Sequence, residues 1–169
     1  MTTHHAARAG AAGARLRIES PIGRLLLAGD EVALTHVFLP GATTLGETPG
    51  AVPAPLRMAA AQLDEYFAGT RKAFSLPLAL QGTAFQLAVW KALADIGYGE
   101  TITYGELASR VGRPAAFRAV GQANGANPVP IVYPCHRVVA AGSRLGGYGG
   151  GLDVKRRLLA LEGATASGW

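Results

Sequence analysis

Ile131-Val132-Tyr133-Pro134-Cys135-His136-Arg137-Val138-Val139 holds the only cysteine of the 169-residue chain, set between apolar runs and followed at once by a histidine and an arginine. A thiolate is a strong nucleophile, but a free thiol has a pKa of about 8.5 and is mostly protonated at neutral pH. It needs an imidazole to take the proton, a nearby cation such as Arg137, or a helix N-terminus. A cysteine inside an apolar run is also a common inert core residue. Pro134 argues for more than that. It donates no ladder hydrogen bond, so the chain is expected to leave a buried strand here and to present Cys135 at an edge or cavity.

Outward from this stretch, residues 81–169 carry nine Lys/Arg against five Asp/Glu, and residues 1–80 seven against six. The basic surplus therefore sits with the cysteine, which raises nucleic acid as a partner without establishing it. A hydrophobic content of 49% is ample for a core. With one cysteine, neither an intramolecular disulfide nor a multi-cysteine zinc site is open to the chain, which suits a reducing compartment. No apolar run approaches the roughly 20 residues of a membrane span, and a cytoplasmic location is expected.

Residues 1–14 are small, Gly/Ala-rich and aperiodic, and read as a flexible end. Residues 15–19, 23–28 and 31–38 alternate or run apolar between Pro and Gly breaks, predicting an antiparallel meander. A loop over 40–55 leads to a helix over 56–68, with Leu56, Ala59, Ala60, Leu63 and Phe67 on its apolar face. A last strand over 73–80 closes a small α/β domain, residues 15–80. The second domain, 81–169, opens with Thr83 and Gln86 in capping-box spacing. Its helices are predicted over 83–96, 104–111 and 114–124, the last started by Pro114. The second and third make a helix-turn-helix candidate. The fold class is therefore α/β in the α+β sense: a small N-terminal antiparallel-sheet domain and a mostly helical C-terminal domain.

In the helix over 114–124, Ala115, Ala119 and Ala123 recur at i, i+4 and i+8, with Gly121 thinning the same surface and Arg118 beside it. Such a flat face suits the minor groove, only about 6 Å wide. It suits close helix packing equally, and the residues alone do not decide. Gly142 to Gly151 has six glycines in ten positions around Tyr148, without the Gly-Lys-Ser/Thr ending of a nucleotide loop.

The segments GTAFQLAVWKAL, YGETITYGELA, RAVGQANGANP, PCHRVV and GYGGGLDVKRRLLALEG, in this order, resemble the O6-alkylguanine-DNA alkyltransferases over residues 82–163. The N-terminal domain is compatible with that family, SPIGRLLLAG being its most similar piece. The resemblance implies DNA repair by direct reversal: one stoichiometric transfer of the alkyl group from O6-alkylguanine, and from O4-alkylthymine, to Cys135. It implies double-stranded DNA as partner, bound through the minor groove by a monomer, with the damaged nucleotide flipped out.

By the same resemblance His136 relays the proton of Cys135 through a water, oriented by Glu162, while Asn127 braces the turn that carries the cysteine. Tyr104 donates a proton toward the departing guanine, and Arg118 fills the gap in the duplex. Ala115, Phe117, Ala119 and Gly121 belong to the DNA-binding helix; Val138, Tyr148, Gly149 and Arg137 belong to the substrate pocket. Asp153 is expected to cap the last helix. No cofactor and no metal are expected. Gly97, where proline is usual in the family, should loosen its turn, and Phe117 stands where a small residue is common, free to stack near the lesion or pack inward. A binding-only relative would lack Cys135. A turnover Cys-His hydrolase would need a histidine facing the thiol directly, which is awkward for adjacent residues.

Overall fold

The computed structural model describes residues 13–164, 166 and 169. The expected flexible end therefore lies largely outside the described residues, except that Ala14 already belongs to a strand. The chain forms two compact units, one up to Leu80 and one from Gln81.

In the first unit β1 (Ala14–Ile18), β2 (Leu25–Gly29) and β3 (Leu34–Phe38) form an antiparallel sheet in the order β1-β2-β3. Helix α1 (Ala54–Phe67) covers it with Leu56, Ala59, Leu63 and Tyr66, each 0% exposed. Full burial of a leucine is worth about 1.5–3 kcal/mol. That stripe therefore outweighs the missing side-chain cap at the helix start. Tyr66, rather than the expected Phe67, fills the core, because it continues the i, i+3, i+7, i+10 row. Gly29 lets α1 approach: a Cβ there would stand 2.7 Å from Leu56 Cδ1. The strand expected over 73–80 is corrected to an isolated parallel bridge between Leu34 and Leu78. Pro77 has no N–H to donate, so pairing stops at Leu34 N–H to Pro77 O and Ala79 N–H to Leu34 O.

In the second unit α2 (Ala84–Ala94) begins at a complete capping box between Thr83 and Gln86. A second such box, Thr103 with Glu106, starts α3 (Tyr104–Arg110) directly after the short strand β4 (Ile102–Thr103). Helix α4 runs over Phe117–Gly125, not 114–124. Pro114 and Ala115 lie in a turn closed by Ala116 N–H to Arg113 O, so Ala115 is not on the helix. The flat alanine face is corrected accordingly: Ala119 is exposed, while Ala123 is 3% exposed and its carbonyl accepts the Trp90 Nε1–H at 2.8 Å. Close helix packing claims Ala123, since α2 and α3 both pack against α4.

The stretch around the cysteine also differs from expectation. No strand precedes it, because Pro128 and Pro130 remove two donors and Ile131 takes φ +73°. Cys135–Arg137 forms a 3-10 turn, and the strand follows as β5 (Val138–Val139), paired in parallel with β4. Helix α5 (Leu152–Leu161) has Gly151 as N-cap without a side-chain cap. Asp153 instead pairs with Arg156 at 2.9 Å within the first turn. No helix among the described residues is long and apolar enough to cross a membrane.

Candidate active site

Loops and helix ends converge on Cys135. The 3-10 turn puts Cys135, His136 and Arg137 at 6%, 0% and 5% exposure, and α5 delivers Glu162 as its C-cap. His136 Nε2 stands 2.7 Å from Glu162 Oε1. Arg137 holds the same carboxylate with both arms of its fork, Nε–H to Oε2 at 2.8 Å and Nη2–H to Oε1 at 2.9 Å. Its third arm, Nη1–H, donates to Ile96 O at 2.5 Å. Gly99 N–H adds a fourth donor to Glu162 at 3.3 Å. Burial pushes the Glu162 carboxyl up, but the hydrogen bonds from His136 and Arg137 outweigh it and hold the group at about 2.

An ionised Glu162 fixes the state of the histidine. Nε2 must carry the proton that Glu162 accepts, which leaves Nδ1 as a lone-pair acceptor. Nδ1 is buried and has no hydrogen-bond partner among the described residues. Burial lowers the His136 pKa, only partly offset by Glu162, so the ring is a neutral base.

The expectation that Arg137 lines the substrate pocket and charges the thiol is corrected by this geometry. Its guanidinium is committed to Glu162 and Ile96 and lies 5.8 Å from the Tyr98 ring centroid. The cation acting on the thiol is Lys155, which is 0% exposed. Lys155 Nζ donates to Val138 O at 2.7 Å, Leu145 O at 2.5 Å and Gly147 O at 3.2 Å, fastening the glycine loop to β5. Burial brings its own pKa down to about 8. No role for Lys155 is read from the sequence; the signal that could have found it is its place on the apolar row with Leu158 and Leu159.

The resting sulfur is a thiol. Burial pushes the Cys135 pKa up, opposed by the polar side chains of Asn127 and Tyr148 and by the Lys155 charge. Asn127 Nδ2–H donates to Tyr133 O at 2.7 Å and its Oδ1 accepts Val129 N–H at 3.0 Å, tying the turn before the cysteine at both ends. Asn124, absent from the sequence reading, reaches Cys135 O from α4 at 3.4 Å. Tyr104 is half-buried, and its pKa is raised by burial and by the nearby Cys135 charge. Gly146, at φ +72°, lies against it: a Cβ there would stand 3.1 Å from Tyr104 Oη.

Val138 is fully buried in β5, Tyr148 is half-buried and Gly149 is exposed. Gly121 faces the Tyr104 ring, at 3.7 Å from Cδ1 for an added Cβ. Phe117, Arg118 and Ala119 are exposed in the first turn of α4, and Ala115 is exposed in the turn before it. Gly97 adds a tie to the turn where proline would remove one. Its N–H donates to Glu100 Oε2 at 3.1 Å, a bond proline could not make.

Residues 17–80 match the 6-O-methylguanine DNA methyltransferase ribonuclease-like domain, and residues 84–164 match the DNA binding domain of the same family. The chain belongs to the 6-O-methylguanine DNA methyltransferase family. It is 51% identical over 149 residues to a methylated-DNA-protein-cysteine methyltransferase of Methanosarcina acetivorans, covering 86% of this chain and 96% of the relative. The enzyme of that name from Mycobacterium tuberculosis is 49% identical over 155 residues, with 88% and 92% covered. A crystal structure of Mycobacterium tuberculosis OGT in complex with DNA superposes with a TM-score of 0.80 at 50% identity, covering 86% of this chain and 90% of that one. As a 6-O-methylguanine DNA methyltransferase family member, the chain is an enzyme of the methylated-DNA-protein-cysteine methyltransferase class, and its work is DNA repair.

Proposed function

We propose that Cys135 accepts, once per molecule, the alkyl group of O6-alkylguanine or O4-alkylthymine in double-stranded DNA. The observation that carries this reading is the buried Cys135-His136-Arg137 turn with its four-donor carboxylate, Glu162. A monomer, in the cytoplasm, meets the minor groove with α3 and α4 as a helix-turn-helix, as suits a relative crystallised on DNA. The alkylated atom is inaccessible inside the stack, so the nucleotide turns out toward Cys135 while Arg118 fills its place.

Because the thiol rests protonated, ionisation belongs to the reaction. Cys135 gives its proton through a water to Nδ1 of His136, and the imidazolium is held by ionised Glu162. Lys155 offsets the thiolate charge as it forms. Sulfur attacks the alkyl carbon, the carbon–O6 bond breaks, and the electrons go to the purine. Tyr104, which burial keeps protonated, gives its phenolic hydrogen to the departing base and is reprotonated through water by the proton that His136 took from the thiol. Asn127 holds the turn in register. Tyr148, Gly149 and Val138 wall the base pocket, and the exposed surface of Ala115, Phe117 and Ala119, with half-buried Gly121 beside it, meets the groove. A thioether is chemically stable and nothing nearby would hydrolyse it, so each molecule acts once.

The test is the intact mass and peptide map after incubation with duplexes carrying O6-methylguanine or, separately, O4-methylthymine. One methyl gained, on Cys135, is expected, with Cys135→Ser binding DNA but gaining none. An unchanged mass with the lesion persisting would indicate a binding module, and turnover of an ester or peptide a hydrolase. Arg118→Ala should slow repair in duplex far more than reaction with free O6-methylguanine; equal losses would remove the base-flipping role.

A further inference from the structure

Phe117 opens α4 and is 51% exposed, the one aromatic among the large exposed hydrophobic residues described. Sequence periodicity would place it inward, on the row of Val120, Gly121 and Asn124. Val120 and Asn124 are buried there, yet Phe117, one turn earlier, is exposed. Its position relative to the site follows from the same row. Gly121, four residues on, faces the Tyr104 ring, and Tyr104 is electrostatically coupled to Cys135. Phe117 is therefore one turn along α4 from the residue that faces Tyr104. Beside it, the Arg118 guanidinium carbon is 6.0 Å from its ring centroid, a cation–π pair.

The surroundings name the occupant. From residue 107 to residue 152 the chain carries Arg110, Arg113, Arg118, Arg137 and Arg144 and no acidic residue, and Arg110, Arg113 and Arg118 are exposed around the start of α4. An exposed ring inside an exposed cationic field matches a polyanion that also offers flat π surfaces, which is a nucleic acid with a broken stack.

Resting on the nucleotide-extrusion reading above, we propose that Phe117 is a second wedge. Its ring stacks on the base pair bordering the vacated position while the Arg118 guanidinium occupies that position, the two moving as a cation–π unit. Phe117 is thus a positioning residue for duplex substrates and contributes nothing to the transfer step itself. Stacking of one base on an aromatic side chain corresponds to roughly a five- to hundredfold effect.

The experiment compares single-turnover rates on an O6-methylguanine duplex and on free O6-methylguanine base, for the unaltered chain, Phe117→Ala, Phe117→Leu and Phe117→Trp. The duplex-to-free-base ratio should fall about tenfold for Phe117→Ala and Phe117→Leu and recover with Phe117→Trp. An unchanged ratio, or one that leucine restores as well as tryptophan, overturns the wedge. A parallel measurement separates this from the reading beneath it: 2-aminopurine opposite the lesion brightens when its partner leaves, followed in Cys135→Ser. Brightening together with an unchanged rate ratio removes the wedge alone. If the base stays dark, extrusion fails and the wedge with it.

Discussion

Replacing Glu162 by glutamine keeps the shape of the site and removes its one negative charge, leaving Arg137 buried without a counter-ion. The carboxyl titrates near 4.5 when free and at about 2 in the fold. At about 1.4 kcal/mol per unit, its ionisation contributes roughly 3 kcal/mol of stability at neutral pH. Breaking a buried ion pair from one side costs about 3–5 kcal/mol, so two independent routes agree. Because the folded value is the depressed one, this stabilisation is complete above the unfolded value and drains away as pH falls toward 2. The gap between the unaltered chain and Glu162→Gln should therefore narrow from roughly 3 kcal/mol at pH 7 to about 1.5 at pH 3. Urea unfolding at several pH values measures it, with buried Trp90 as the fluorescent reporter. A gap constant to within about 0.5 kcal/mol over that range would refute the assignment of an ionised Glu162 as the anchor. The same variant should lose alkyl transfer, since His136 would no longer be held as a base with Nδ1 open.

Lys155→Met exchanges a cation whose burial already costs about 3 kcal/mol for an apolar chain, at the loss of its three carbonyl contacts. It should alter stability less than Glu162→Gln does, yet move the pH at which Cys135 reacts with a soluble alkylating agent upward; an unmoved pH–rate profile would show that Lys155 does not sense the thiol. Tyr104→Phe should slow transfer roughly a hundredfold, equally on duplex and free base, a pattern opposite to that of Arg118→Ala. Gly146→Ala places a Cβ 3.0 Å from Tyr104 Cε2 at φ +72°; a left-handed alanine costs about 1 kcal/mol, so a melting temperature several degrees lower and slower transfer are expected.

Those parts of the fold written in local patterns were legible in the sequence. The three-stranded meander follows from short apolar or alternating runs between Pro and Gly breaks, and the start of α2 from the capping-box spacing of Thr83 and Gln86. Local pattern misled where tertiary packing decides. Pro114 suggested a helix start, but the chain spends Pro114 and Ala115 on a turn before α4 begins at Phe117. The run 73–80 has strand-like residues and only one bridging partner. At the site, His136 with Glu162 came through resemblance. The commitment of Arg137 to that pair and the burial of Lys155 did not, because a charge beside leucines reads alike whether its head group reaches water or three loop carbonyls.

The carboxylate that orients His136 sits at the far end of α5, beyond the turn bearing the sulfur it serves. During synthesis the acceptor thiol therefore leaves the ribosome before the groups that activate it. Until α5 folds back, the nascent cysteine has neither its oriented base nor the burial that holds its pKa up, and it meets stray electrophiles as an exposed free thiol. If Cys135 accepts only once, as proposed, it is the closing of α5 over the turn that keeps the sulfur for DNA.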